Sequence, residues 1–192
     1  MTTRVVIAED EAIIRLDLKE TLEEEGYEVV GETGRGDKAV DLVREHRPDL
    51  AILDIKMPGM DGLEAARIIN KERLCGVLVL TAFSQREVIE EARDAGALAY
   101  LVKPFQKNDL VPAIEVAIAR FNEMRALNGE IEALGEQLET RKLLDRAKGV
   151  LMDTHGMNEA DAFGFIQRSA MNHRMTMKDV ADKIVAGVIV PD

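Results

Sequence analysis

The sequence predicts an α/β protein: a five-stranded, doubly wound parallel sheet followed by a long linker helix and a small three-helix bundle. Three observations lead there. Up to about residue 106, short β-branched runs alternate with amphipathic helical stretches, the pattern of a parallel sheet covered on both faces. Beyond that, apolar residues recur every seven positions, as a coiled-coil seam requires. Residues 140–192 then carry helical patterns only. A chain of 192 residues has room for one full domain and a smaller one, and 46% hydrophobic with 32% charged residues suits a chain with a sizeable core.

The strands read as Arg4 to Ala8, Glu28 to Glu32, Leu50 to Leu53, Val77 to Leu80 and Ala99 to Val102. Helices follow at residues 11–25, 37–46, 62–72, 85–94 and from 107 onward. Gly26, Gly59, Gly62, Gly76 and Gly96 fall at the joins, where helix ends and tight loops need residues that tolerate positive φ. The segment Gly31-Glu32-Thr33-Gly34-Arg35-Gly36 lacks the G-x-G-x-x-G order of a dinucleotide site and reads as a loop.

Leu110, Ala117, Met124, Ile131 and Leu138 repeat every seven residues, with Ile114, Phe121, Leu127 and Leu134 on a neighbouring stripe. This predicts a continuous helix over 107–139 that pairs with a second copy. The alternative is a helix that packs on its own domain and then breaks, at Gly129 or Gly135. Three shorter helices are expected at 141–153, 159–172 and 177–186. Asn158 with Asp161, and Thr176 with Asp179, are spaced like capping boxes, and Gly156 and Gly187 mark helix ends. Phe163 and Phe165 cannot share one helix face, and Phe163, beside Ala162, is the expected core residue. The organisation is thus residues 1–122, 123–139 as a linker coiled coil, and 140–192.

The net charge of −11 argues against nonspecific polyanion binding by the whole chain. It is uneven: residues 140–192 sum to +1, with 8 basic and 7 acidic residues, and residues 1–139 to −12. Cys75 is the only cysteine, which excludes an intramolecular disulfide and a multi-cysteine metal site. His46, His155 and His173 have no metal-ligand spacing. No apolar run could serve as a signal peptide or membrane span, so no membrane partner and a cytoplasmic location are expected.

In an open parallel sheet the reactive crevice lies beyond the carboxyl ends of the strands. Here Glu9 and Asp10 follow the first strand, Asp54 ends the third, Thr81 ends the fourth, and Lys103 with Pro104 follows the fifth. Three carboxylates at one edge repel unless a cation lies among them, and oxygen ligands with room for water suit Mg2+. Such a site can bring a phosphoryl group to a carboxylate. Asp54 would be the nucleophile, Asp10 a direct ligand and Glu9 an outer one, with Lys103 and the Thr81 hydroxyl contacting phosphoryl oxygens.

Ala8-Glu9-Asp10-Glu11, Asp54-Ile55-Lys56-Met57-Pro58-Gly59-Met60-Asp61-Gly62, Leu80-Thr81-Ala82 and Lys103-Pro104-Phe105 occur in that order and resemble the motifs of the bacterial response-regulator receiver family. The resemblance implies a flavodoxin-like sheet in the order 2-1-3-4-5 and a sensor histidine kinase as partner. It implies that the chain is no enzyme beyond handling its own phosphoryl group. By position, Lys56 would offer its backbone carbonyl to Mg2+, Ala82 would leave room for the phosphoryl group, and Tyr100 would be an aromatic switch coupled to Thr81. Ordinary core is the other reading of Tyr100. Glu9 departs from the family's frequent Asp, which bears on Mg2+ affinity.

Arg141-Lys142-Leu143-Leu144-Asp145-Arg146-Ala147-Lys148-Gly149-Val150-Leu151-Met152 resembles the start of the ANTAR family of antitermination regulators. The likeness continues through His155-Gly156, Glu159, Ala162-Phe163, Ala170-Met171 and Asp179-Val180-Ala181. It implies RNA hairpins in leader transcripts as the ligand and control of transcription termination as the output. Arg141, Lys142, Arg146, Lys148, Arg168 and Arg174 are the candidate RNA contacts. Two other outputs stay open at this point: a DNA-binding helix-turn-helix, which lacks a recognition helix after Gly187, and a helical tail that binds only protein.

Overall fold

The computed structural model describes residues 2–82 and 85–191, which divide into two compact units at Arg125 and Ala126. In the first, strands β1 (Arg4–Ala8), β2 (Glu28–Thr33), β3 (Leu50–Asp54), β4 (Gly76–Thr81) and β5 (Ala99–Val102) alternate with helices α1 (Ala12–Glu24), α2 (Gly36–His46), α3 (Gly62–Lys71) and α4 (Arg86–Asp94). All strand pairs are parallel, in the order β2-β1-β3-β4-β5. The fifth helix, α5 (Lys107–His155), begins here.

Strand periodicity explains the two-layer cover. Val6, Ala8, Ala51, Leu53, Val77 and Val79 pack with Val40 and Val43 of α2 and Leu63, Ala66 and Ile69 of α3. The alternate residues Val5, Ile7, Leu50, Ile52, Leu78 and Leu80 pack on the opposite face with Leu18 and Leu22 of α1 and with Leu110, Ile114 and Ala117 of α5. Cys75 belongs to the first cluster, and burial pushes its thiol up to about 12, which keeps it protonated and unreactive.

In the second unit, Ala147 and Leu151 of α5 pack with Ala162, Ile166 and Ala170 of α6 (Glu159–His173) and with Val180, Ala181 and Ile184 of α7 (Met177–Val185). Both predicted caps form. The Asn158 side chain accepts from the Asp161 amide at 2.9 Å, and Thr176 and Asp179 make a reciprocal capping box.

The helix expected to end near residue 139 does not end there. α5 runs unbroken to His155, so the first helix of the output bundle is its C-terminal part. The reason is local: the Thr140 hydroxyl, which could have capped a new helix, donates backward to the Glu136 carbonyl at 2.8 Å, and a Lys142–Glu139 ion pair spans the junction. Gly129 and Gly135 lie in the helix with nothing near them that a Cβ would touch.

The two phenylalanines are reversed from expectation. Phe165 packs against the bundle core, while Phe163 is 44% exposed. Phe163 and Phe165 flank the buried face of Ala162, Ile166, Ser169 and Ala170 from opposite sides, about 160° apart, and it is the Phe165 side that the bundle core covers. Among the glycines at the joins, Gly26, Gly59 and Gly96 have positive φ, but Gly62 and Gly76 do not. Gly62 is required for a different reason, the approach of backbone to backbone described below.

Candidate phosphoacceptor site

The register of the sheet assembles the site. Ala8 pairs with Leu53, Asp54 with Leu80 and Thr81 with Val102, so Glu9, Asp54, Thr81 and Lys103 arrive at one level of the carboxyl edge. Backbone bonds continue the ladder past the strands, from the Glu9 amide to the Thr33 carbonyl at 2.9 Å and from the Lys103 amide to the Thr81 carbonyl at 2.8 Å. The result is a cleft of about 300 Å³ lined by Asp10, Asp54, Lys56, Thr81, Ala82 and Lys103, with Glu11 and Ile55 at its wall.

Carboxylate oxygens of Glu9, Asp10 and Asp54 all lie within 4.8 Å of one another. Asp10 is exposed, Asp54 is 6% exposed and Glu9 is fully buried. Lys103 Nζ answers two of them, at 2.5 Å from Glu9 Oε2 and 2.9 Å from Asp54 Oδ1. Burial raises the Glu9 pKa; the Lys103 hydrogen bond opposes this and the Asp54 charge adds to it. For Lys103, burial alone would favour the neutral amine, but the hydrogen bonds and charges of Glu9 and Asp54 outweigh it and its pKa is raised. Lys103 is therefore a cation at neutral pH. Three carboxyl groups gathered around one ammonium form an oxygen-rich acidic cluster, the chemistry that suits a divalent cation.

Both Glu9 oxygens are already engaged, Oε1 accepting from the Glu11 amide at 3.2 Å. The Arg15 guanidinium donates to the Glu9 carbonyl oxygen and so ties α1 to the loop that carries Asp10. Arg15 was not among the residues singled out by sequence, because an arginine one turn into an amphipathic helix looks like any solvated charge.

Gly62 sets the position of the Asp54 backbone. A Cβ at residue 62 would fall 1.9 Å from the Asp54 carbonyl oxygen, and one at Gly36 would fall 2.2 Å from the Met60 carbonyl oxygen. Arg35 lies against Gly59. The segment 34–36, read from sequence only as a loop, is thus packed directly on the β3–α3 loop. Asp61 starts α3 by accepting from the Glu64 amide at 2.7 Å.

Tyr100 lies outside this cleft and is 43% exposed, which rules out ordinary core. It lines a separate cavity of about 210 Å³ with Ile89, Leu98 and Arg120. In the second unit, Arg141, Arg146, Arg168 and Arg174 are exposed and make no ion pair among the described residues. Lys142 pairs with Glu139, and Lys148 is held at 2.8 Å by both Asp145 and Glu159. Lys148 thus links α5 to the start of α6.

A doubly wound parallel unit with an acidic cluster and a lysine at the carboxyl edge of its sheet, joined to a helical unit, has the architecture of a signal receiver with an output domain. Residues 5–115 match the response regulator receiver domain family and residues 132–185 match the ANTAR domain family. The chain belongs to the response regulators, as a receiver domain joined to an ANTAR domain. It is similar to the transcriptional regulatory protein PdtaR of Mycobacterium tuberculosis (strain ATCC 25618 / H37Rv), with 58% identity over 188 residues that cover 98% of this chain and 92% of that protein. It is also similar to the chemotaxis protein CheY of Bacillus subtilis (strain 168), with 37% identity over 115 residues, 59% of this chain and 96% of that protein. A CheY-like receiver domain structure from Methanospirillum hungatei JF-1 superposes with a TM-score of 0.59 at 28% identity, covering 65% of this chain and 99% of that chain.

The chain is accordingly a phosphorylation-regulated response regulator whose output domain binds RNA and controls transcription antitermination, and it is not a conventional enzyme. The ANTAR match decides against the helix-turn-helix and protein-only readings of the output. Among the described residues, no helix is long and apolar enough to cross a membrane.

Proposed function

We propose that Asp54 accepts a phosphoryl group from a sensor histidine kinase and that the acyl phosphate switches RNA binding by the output domain. The observation that carries this reading is the single cleft shared by Asp10, Asp54, Thr81 and Lys103. An Asp54 carboxylate oxygen forms the new P–O bond as the P–N bond to the donor histidine breaks, the imidazole leaving with the electron pair. Asp10, Asp54 and the Lys56 carbonyl would hold Mg2+, with Glu9 as an outer ligand through water; the ion supplies charge stabilisation to the phosphoryl oxygens. Lys103 and the Thr81 hydroxyl contact those oxygens, and small Ala82 leaves them room. Hydrolysis of the acyl phosphate belongs to the same cleft.

Thr81 moving toward the phosphoryl group would draw Tyr100 inward from its exposed position, relaying the change along β4 and β5 toward α5. We assign residues 1–122 to the receiver, 123–139 to a linker coiled coil and 140–192 to the RNA-binding domain. Met124, Leu127, Ile131, Leu134 and Leu138 are exposed by 45 to 66%, and their spacing suits a seam with a second copy. Sedimentation should therefore shift from monomer to dimer when a stable phosphoryl mimic is added with Mg2+; identical profiles with and without it would refute the pairing.

Arg141, Lys142, Arg146, Lys148, Arg168 and Arg174 are the proposed RNA contacts, and a cytoplasmic location goes with such a ligand. Gel shifts with hairpin RNA and duplex DNA, using phosphorylated and unphosphorylated chain, test the function. Salt-sensitive binding to hairpin RNA that strengthens on phosphorylation is expected, whereas preference for duplex DNA would overturn the reading.

A further inference from the structure

The outward face of α6 is the part of the output unit whose composition the packing does not explain. Phe163 is 44% exposed there although the buried face of the same helix has aromatic content in Phe165. Helical spacing puts Ala160, Phe163, Gly164, Gln167, Arg168 and Met171 on this one side, away from the buried Ala162, Ile166, Ser169 and Ala170. Gly164 has no side chain, and the Arg168 guanidinium occupies the neighbouring space, with Nη1 3.2 Å from where a Cβ would be. The ring and the guanidinium thus border the two edges of this exposed side, about 140° of helix apart, with the Gln167 amide between them, one turn on from the ring.

The charge around them is unusual for this chain. Residues 162–178 contain no Asp or Glu, the longest such run in a sequence with 36 acidic residues and a net charge of −11, and they carry Arg168, Arg174 and Lys178. The acids at the start of α6 are committed: Glu159 pairs with Lys148, and Asp161 bonds with Asn158. Along the sequence, this is the longest stretch in which a polyanion meets no carboxylate. An exposed ring and a cation on one side of a helix can take an unstacked base and a phosphate of the same RNA loop; a duplex keeps its bases stacked and offers the ring nothing.

We propose that Phe163 is the stacking platform for one unpaired base of an RNA loop, with Gln167, one turn on, contacting the base edge and Arg168 a phosphate of the same loop. This rests on the RNA-binding reading of the output domain and names the place where it acts. The test begins with a pool of RNA stem-loops carrying randomised loops, selected on the full chain treated with acetyl phosphate and Mg2+. The enriched stem-loop is then titrated with wild type, Phe163→Leu, Phe163→Trp and Arg168→Ala, and again with 2-aminopurine substituted at successive loop positions. Phe163→Leu should weaken binding by about 5- to 150-fold, the range of one base–aromatic stack, and Phe163→Trp should bind like wild type. One 2-aminopurine position should be quenched by wild type and Phe163→Trp but not by Phe163→Leu, and Arg168→Ala should lower the salt dependence of binding. Phe163→Trp and Arg168→Ala should melt as wild type does, and the melt of Phe163→Leu separates loss of the stack from loss of the fold.

If Phe163→Leu binds as wild type, or if Phe163→Trp loses as much as Phe163→Leu, the stacking site is overturned while RNA binding stands. If the wild-type chain enriches no stem-loop, the RNA-binding reading itself fails.

Discussion

Asp54→Asn should take up no phosphoryl group from acetyl phosphate and Mg2+ under conditions in which the wild-type chain gains the mass of one. The substitution keeps the volume of the side chain and removes the carboxylate nucleophile, so the effect is a loss of reaction rather than a slowing. It should not unfold the receiver. Glu9, Asp10 and Asp54 place three carboxylates within 4.8 Å, and neutralising one relieves repulsion while Lys103 keeps its contact with Glu9 at 2.5 Å. Intact-mass spectrometry reads the labelling and a thermal melt reads the fold. Equal labelling of Asp54→Asn and wild type would show that the acceptor lies elsewhere. Omitting Mg2+ should abolish wild-type labelling in the same assay.

Gly62→Ala should cost about 3 kcal/mol of receiver stability and slow the labelling of Asp54 as well. The added Cβ would meet the Asp54 carbonyl oxygen at 1.9 Å, the Asp54 carbonyl carbon at 2.8 Å and the Ile55 Cα at 3.2 Å, all of them backbone atoms. No rotamer change relieves that contact, so either α3 or the end of β3 must move, and the second choice displaces the phosphoacceptor. The Gly62 amide also donates to the Ile55 carbonyl at 2.9 Å, which couples the two segments further. Gly129→Ala is the matched control: nothing lies near that position, and the exchange should stabilise α5 by up to about 1 kcal/mol. Urea denaturation of the two variants should move in opposite directions. A Gly62→Ala chain as stable as wild type would mean that the approach of α3 to Asp54 is looser than these distances.

The chemistry of the carboxyl edge was readable from residue order because strand ends in a parallel sheet converge whatever the details of packing. Glu9, Asp10, Asp54, Thr81 and Lys103 needed only to follow strands to be brought together. The contact of Lys103 with two carboxylates was not readable, since it depends on the reach of a side chain across a cleft. Gly62 was recognised as necessary but for the wrong reason: its φ is ordinary, and the constraint comes from a neighbour distant in sequence. The Arg15 tether had no signature at all.

Sequence alone determined the two-unit organisation, the five strands with their helices, the helix caps at Asn158 and Thr176, and the residues that meet at the sheet edge. These follow from short-range propensity and from periodicity, which are properties of a few neighbouring residues. Only the tertiary structure decided that α5 passes Thr140 without a break, that Phe165 rather than Phe163 enters the bundle core, and that Tyr100 stands outside the receiver core. Each of those outcomes turns on competition between alternatives of similar local free energy: side chains within one turn settle it at Thr140, and contacts or register set beyond the neighbouring residues settle it at Phe165 and Tyr100.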